Sequence, residues 1–227
     1  MSKAIQPGYL AALAFTLAAC IGPPPGAKEA ATGGAAPGGT TAAAKPNAEG
    51  VLVIWDGDGA GAGAKGWADC TKKPTCKATA QPTPGIGRNN SAGLKIHFEG
   101  PDWIGMGWNW FGWWPETAGT DISAYKNVKF WLRIESKSPE LAPDLSALSV
   151  AMRCSNGKKD SEAVPLKPFA GEALDGQWHE IVIPISEFTK GKGAAFDPRT
   201  AWEFNFNTWS GSPRDFTLYI DEFAAAP

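Results

Sequence analysis

The sequence has little of the side-chain chemistry on which most enzymes rely. Only two of its 227 residues are histidine, His97 and His179. Each falls in a strand-like stretch, and neither sits in a nucleophile or metal motif. G-x-S-x-G, H-E-x-x-H and phosphate-loop patterns are all missing. Two carboxylates suffice to cleave a glycosidic bond, but no spacing singles out a pair from Glu116, Glu135 and Glu203. A catalyst is therefore not expected. Positive charge is also scarce: 21 Lys and Arg face 23 Asp and Glu, a net charge of −2. No basic run occurs and no cationic cluster lies among the aromatics, which excludes the cationic stripe that nucleic acid requires. Long apolar runs are lacking too. "YLAALAFTLAAC" (9–20) is too short to stay in a bilayer as a stop-transfer helix.

That segment follows Lys3, a weak positive start, and ends in small residues, the build of a cleaved signal. Its last four residues, Leu17-Ala18-Ala19-Cys20, resemble a bacterial lipobox. The resemblance implies a signal peptide over 1–20, with Cys20 as the lipid-bearing residue after cleavage. An ordinary signal peptide that contains a cysteine is the alternative. Gly22 stands where some bacteria place the aspartate of inner-membrane retention, so the expected location is the cell envelope, at the outer membrane. Residues 21–50 hold one large apolar side chain, Ile21, among Ala, Gly, Pro and Thr. Such a segment buries too little surface to offset its ordering entropy and reads as a tether.

One domain is expected over 51–227. With Cys20 assigned to lipid, its cysteines are Cys70, Cys76 and Cys154, enough for one disulfide and one free thiol. Cys70–Cys76 is the expected pair, and closing so short a loop stabilises by about 2 kcal/mol. A metal site at the same two residues finds no further thiol or imidazole at ligand spacing. Cys154 falls on the apolar phase of its strand and should be buried.

What the domain does contain is alternation with a period of two. "VLVIW" (51–55) is wholly apolar. "GLKIHFE" (93–99), "NVKFWLRIE" (127–135), "ALSVAMRC" (147–154), "WHEIVIPI" (178–185), "AWEFNFNTW" (201–209) and "DFTLYIDEF" (215–223) put apolar residues on one face and polar residues on the other. Glycine and proline clusters divide nearly all of them. Helical hints are limited to "DISAY" (121–125) and "PISEF" (184–188), each a single turn. The prediction is all-β: a two-sheet antiparallel β-sandwich.

Several phrases go further. "GMGWNW" followed by "TDISAYKNVKFWLRIES", then "GQWHEIVIPISEF" and "FTLYIDEFA", with "VLVIWDGDG" and Gly66-Trp67 ahead of them, resemble bacterial galactose-binding-like jelly rolls of the carbohydrate-binding-module type. The resemblance covers nearly all of 51–223 and is a fold signature before it is a functional one. It implies a jelly roll whose concave sheet can present rings and polar groups to a sugar chain. It also implies a structural calcium site at Asp56 and Asp221, since calcium takes hard oxygen ligands. The residues alone leave another reading open, in which Asp56 starts a turn with Gly57 and Asp221 pairs with a nearby cation.

Tryptophan is abundant, 11 in all, with five in "WIGMGWNWFGWW" (103–114). Trp55, Trp67, Trp178 and Trp202 match positions that pack the sandwich. Trp108 and Trp110 share the phase of Ile104 and Met106 and are expected to pack. Gly105 and Gly107 share the opposite phase with Trp103 and leave bare backbone that a ligand or a sheet could approach. Trp113 and Trp114, just before Pro115, are expected in an exposed loop; a loop folded over its own rings is the alternative. Trp131 lies with Lys129 and Arg133 on the polar face of its strand, so it either sits under a loop or faces a ligand. Glu203, Asn205, Asn207 and Trp209 share another polar face, and Arg153 is out of phase with Met152. Together Trp131, Arg133, Arg153, Glu203, Asn205, Asn207, Trp209, Trp113 and Trp114 form the candidate ligand-binding set. Sugars need that mixture: a pyranose lays its C–H face on an indole, while amides, guanidinium groups and carboxylates bond its hydroxyls. The expected function is non-catalytic binding of a polysaccharide or oligosaccharide. The rival is a protein-interaction or assembly module that docks through the aromatic loop.

Overall fold

The computed structural model describes residues 45–58, 64–110, 119–171 and 173–227. Cys20, the tether up to residue 44, and Trp113 and Trp114 lie outside the described residues. The strands are β1 (Leu52–Trp55), β2 (Lys65–Cys70), β3 (Lys77–Thr83), β4 (Gly93–Asn109), β5 (Asn127–Ser136), β6 (Leu148–Cys154), β7 (Lys159–Asp160), β8 (Val164–Pro165), β9 (His179–Pro184) and β10 (Ala201–Ala226). A short α-helix, α1 (Ile185–Thr189), follows β9 where the sequence predicts a single turn.

Every pairing is antiparallel, and β4 and β10 run side by side almost end to end. Each strand serves two layers. In the first layer β2 pairs with 104–109 of β4, that half of β4 pairs with 203–209 of β10, and β6 follows, with β7 and β8 at its far edge. In the second layer β3 pairs with 93–99 of β4, that half pairs with 215–220 of β10, and β5 and β9 complete the order. β1 closes on the last residues of β10. The change of layer falls where the β4–β10 register slips between Ser210 and Arg214. Gly100 makes the corner on β4: its φ is +118°, and a Cβ there would lie 2.6 Å from the Cβ of Cys76. Cys76 is in turn bonded to Cys70, as the spacing predicts.

The two layers meet through the apolar phase of each strand. Phe204 of the first layer stacks on Phe223 of the second with centroids 4.2 Å apart, and Phe130 meets Phe206 edge-on at 5.7 Å. Such aromatic pairs contribute about 0.5–1.5 kcal/mol each beyond their burial. Trp55, Trp108, Trp110 and Trp202 are buried, and the Trp110 indole N–H donates to Thr120 Oγ1 at 3.1 Å. Cys154 is buried and unbonded to another cysteine. A two-layer antiparallel β-sandwich is thus what the alternating pattern produces.

Candidate functional site

Once the inward phase of the first layer is spent on the core, its outward phase makes a face of four cross-strand rows. Lys65, Asn109, Glu203, Arg153 and Asp160 form the first, and Trp67, Gly107, Asn205 and Ala151 the second. Asp69, Gly105, Asn207 and Ser149 form the third, and Trp103 faces Trp209 in the fourth. The centre of this face has almost no side-chain bulk, and indole rings fill it. A Cβ on Gly107 would lie 2.0 Å from Trp67 Nε1, and one on Gly105 would lie 2.5 Å from Trp103 Cζ2. The two rings are close to parallel, 18° apart with centroids separated by 6.4 Å. Both are partly exposed, and Trp209 is 60% exposed.

Polar groups flank the rings. Asn207 Nδ2 donates to Asn205 Oδ1 at 2.6 Å, which fixes the orientation of that amide pair. Arg153 Nε donates to Asp160 Oδ1 at 2.6 Å, and another guanidinium nitrogen stands 4.0 Å from Glu203 Oε1. Burial alone would lower the Arg153 pKa, yet its bond to Asp160 and the charge of Glu203 carry it above its ordinary value. Glu203 is only 1% exposed. The Trp67 indole N–H donates to its Oε2 at 3.4 Å, while Oε1 accepts no hydrogen bond. Burial pushes the Glu203 carboxyl up to about 7, against the pull of Arg153 and Trp67.

The expected ligand-binding set therefore divides. Arg153, Glu203, Asn205, Asn207 and Trp209 come together on this face. Trp131 and Arg133 do not join them, because β5 belongs to the second layer and points its polar phase away on the other side of the sandwich. There the Arg88 guanidinium covers the Trp131 ring at 3.4 Å from its centroid. Arg133 lies 4.1 Å from the Tyr219 ring and 5.2 Å from that of Trp178. Trp67, expected to pack at the core or its edge, stands half-buried on the outer face because β2 is an edge strand of the first layer with its odd positions outward. Trp103, likewise outside the expected set, shares this face. The bare backbone at Gly105 and Gly107 is a bed for these two rings.

Asp56 and Asp221, the expected calcium ligands, each accept hydrogen bonds. Asp221 Oδ2 accepts from the Arg88 amide and the Ser91 hydroxyl, each at 2.8 Å, and Oδ1 accepts from the Glu222 amide at 2.9 Å. Asp56 Oδ1 accepts from the Asp58 amide, closing a turn. Among the described residues no three acidic, histidine or cysteine side chains cluster to hold a metal.

The family model for carbohydrate binding domain 30 matches residues 54–226. The chain belongs to this family. Among solved structures, the family 30 carbohydrate-binding module of the cellulosomal cellulase Cel9D-Cel44B of Clostridium thermocellum is similar over 78% of this chain and 96% of its own, with a TM-score of 0.56 at 15% identity. A family 11 carbohydrate-binding module from Clostridium thermocellum, solved with a β-1,3-1,4-mixed-linked tetrasaccharide, is similar over 79% of this chain and 97% of its own, with a TM-score of 0.50 at 14% identity. No curated protein matches. At these identities the neighbours establish the shared β-sandwich. Membership of the carbohydrate-binding family makes this domain a sugar-binding module in kind, and the residues that engage the sugar have to come from the geometry of the face.

Proposed function

We propose that the outer face of the first layer binds a polysaccharide or oligosaccharide without modifying it. Trp67, Trp103 and Trp209 stack on successive sugar rings, and Asn205, Asn207 and Arg153 bond the hydroxyls between them. The observation that carries this reading is the near-parallel pair of indoles seated on Gly105 and Gly107 beside an oriented amide pair. Covering half of a ~200 Å² indole at ~25 cal/mol per Å² gives roughly 2–3 kcal/mol per ring. Less the cost of association, two or three rings and a few hydrogen bonds predict dissociation constants of about micromolar to millimolar.

Affinity electrophoresis against soluble β-glucans, xylans, mannans and galactans tests the reading. Mixed-linkage β-glucan is the first probe, because a fold neighbour was solved with a β-1,3-1,4-mixed-linked tetrasaccharide. Retardation by one polysaccharide class, abolished by Trp103→Ala, supports the proposal. Free migration on all four classes refutes it.

The lipobox-like Leu17–Cys20 and the Ala/Gly/Pro tether complete the proposal: Cys20 carries lipid and holds the sugar-binding face near the cell envelope, at the outer membrane. Loss of palmitate labelling and release from membranes in Cys20→Ser is the expected result, and unchanged membrane association refutes it.

A further inference from the structure

A carboxyl group buried directly beneath a binding face asks what it is for. Glu203 lies inside the edge of the platform, at 1% exposure, too enclosed to touch a sugar itself. Its contacts lead to the residues that do. Oε2 accepts the Trp67 indole N–H, and that ring sits on Gly107 with no room to spare. A Cβ on Gly107 would lie 2.8 Å from Glu203 Oε1, so carboxylate, ring and glycine occupy one packed corner.

We propose that Glu203 is a positioning residue: its carboxylate holds the Trp67 indole in register with Trp103, and its protonation releases that ring, so that glycan affinity falls in acid. This rests on the reading of the face given above. An ionised acceptor holds an N–H roughly twice as strongly as a neutral one. A protonated carboxyl also no longer attracts Arg153, whose guanidinium stands 4.0 Å away.

The groups around Glu203 leave it as the residue that switches. From β6 comes Arg153, held above its ordinary value and charged throughout. Asp160 on β7 is bonded to Arg153 and repels the Glu203 charge. Asn109 of β4, Trp67 of β2 and Asn205 of β10 carry no charge, and Lys65 lies exposed at the start of β2. Both histidines are on second-layer strand segments, away from this face. Burial raises the Glu203 carboxyl to about 7, so the change falls near neutrality.

The same burial makes stability and binding respond to pH in opposite senses. A carboxyl that titrates at 4.5 when unfolded and near 7 when folded keeps its proton longer in the folded state. Its contribution to stability is greatest at acid pH and is lost as pH rises from about 4.5 to about 7. Binding follows the ionised form and rises as pH passes through about 7. A residue kept only for structure would not set the two against each other.

The test uses the full chain, wild type and Glu203→Gln, with mixed-linkage β-glucan as the probe at pH 5.5 and 8. Wild-type affinity is expected to fall about tenfold from pH 8 to 5.5, the effect of one charge-assisted bond. Glu203→Gln should bind weakly at both values. Its Tm should match the wild type near pH 4.5 and exceed it by roughly 10 °C at pH 8. Without sugar, the Trp67 indole N–H resonance should titrate near neutrality in the wild type and stay constant in the variant. Equal wild-type affinity at both pH values, or wild-type affinity in Glu203→Gln at pH 8, overturns the inference. Absence of binding to any polysaccharide at either pH overturns the sugar reading, and the indole titration then decides the positioning role alone.

Discussion

Gly107→Ala is the smallest change that separates the proposed binding face from the fold beneath it. The added Cβ would meet Trp67 Nε1 at 2.0 Å, Trp67 Cε2 at 2.5 Å and Glu203 Oε1 at 2.8 Å. Ordinary contact begins at 3.4 Å, so the ring must retreat by about 1.4 Å and lose its near-parallel arrangement with Trp103. A full ring contributes roughly 2.5 kcal/mol of sugar contact on the area argument. A tilted ring that keeps half of that forfeits about 1.3 kcal/mol, close to a tenfold rise in Kd. The fold should lose less than the 1–3 kcal/mol typical of overpacking a closed core, because a partly exposed ring can move into solvent. Titration calorimetry with mixed-linkage β-glucan reads the binding, and thermal melting reads the fold. Gly211→Ala is the control: it lies on the neighbouring strand β10, and nothing stands within 4 Å of the place its methyl group would take. Wild-type affinity in Gly107→Ala would refute the assignment of Trp67 to the binding surface.

Two further outcomes follow from the second layer and the Asp221 site. Trp131→Ala removes the ring under Arg88 and should cost about 1 kcal/mol of stability, seen as a lower Tm, while the Kd for glycan stays within twofold of wild type. A loss of binding in that variant would move the site to the second layer. Chelator should leave the Tm unchanged within about 1 °C, since N–H and O–H donors already satisfy Asp221. A calcium-dependent rise of several degrees would place the ion at Asp56 and Asp221.

The strands and their inward phases are legible because burial of one face writes itself into the sequence every second residue. The division at Phe204, Phe206 and Phe130 against Glu203, Asn205 and Trp131 follows from that rule alone. Phase says only whether a side chain points in or out. A sandwich has two outer faces, and nothing in the alternation of 127–135 tells which one Trp131 occupies. That is why phase groups Trp131 and Arg133 with residues on the opposite side. The continuity of β4 and β10 is hidden by their corners. Gly100-Pro101-Asp102 and Ser210 to Pro213 carry turn residues, and each looks like a break between strands where the chain in fact bends between layers. Trp67 is placed by its match to packing positions of the family and not by alternation, because Lys65–Cys70 has too few large apolar residues to show a period, and its outward phase is invisible. The glycines at 105 and 107 are recognisable as open backbone, but the ring that fills the second comes from a strand some forty positions earlier.

The most direct measurement is an indole N–H correlation spectrum of the protein titrated with the β-1,3-1,4-mixed-linked tetrasaccharide. Resonances of Trp67, Trp103 and Trp209 should shift together with one dissociation constant, while those of Trp131, Trp178 and the buried Trp108 hold still. Shifts confined to Trp131 and Trp178, with Trp67 and Trp103 unmoved at saturating sugar, would contradict the account.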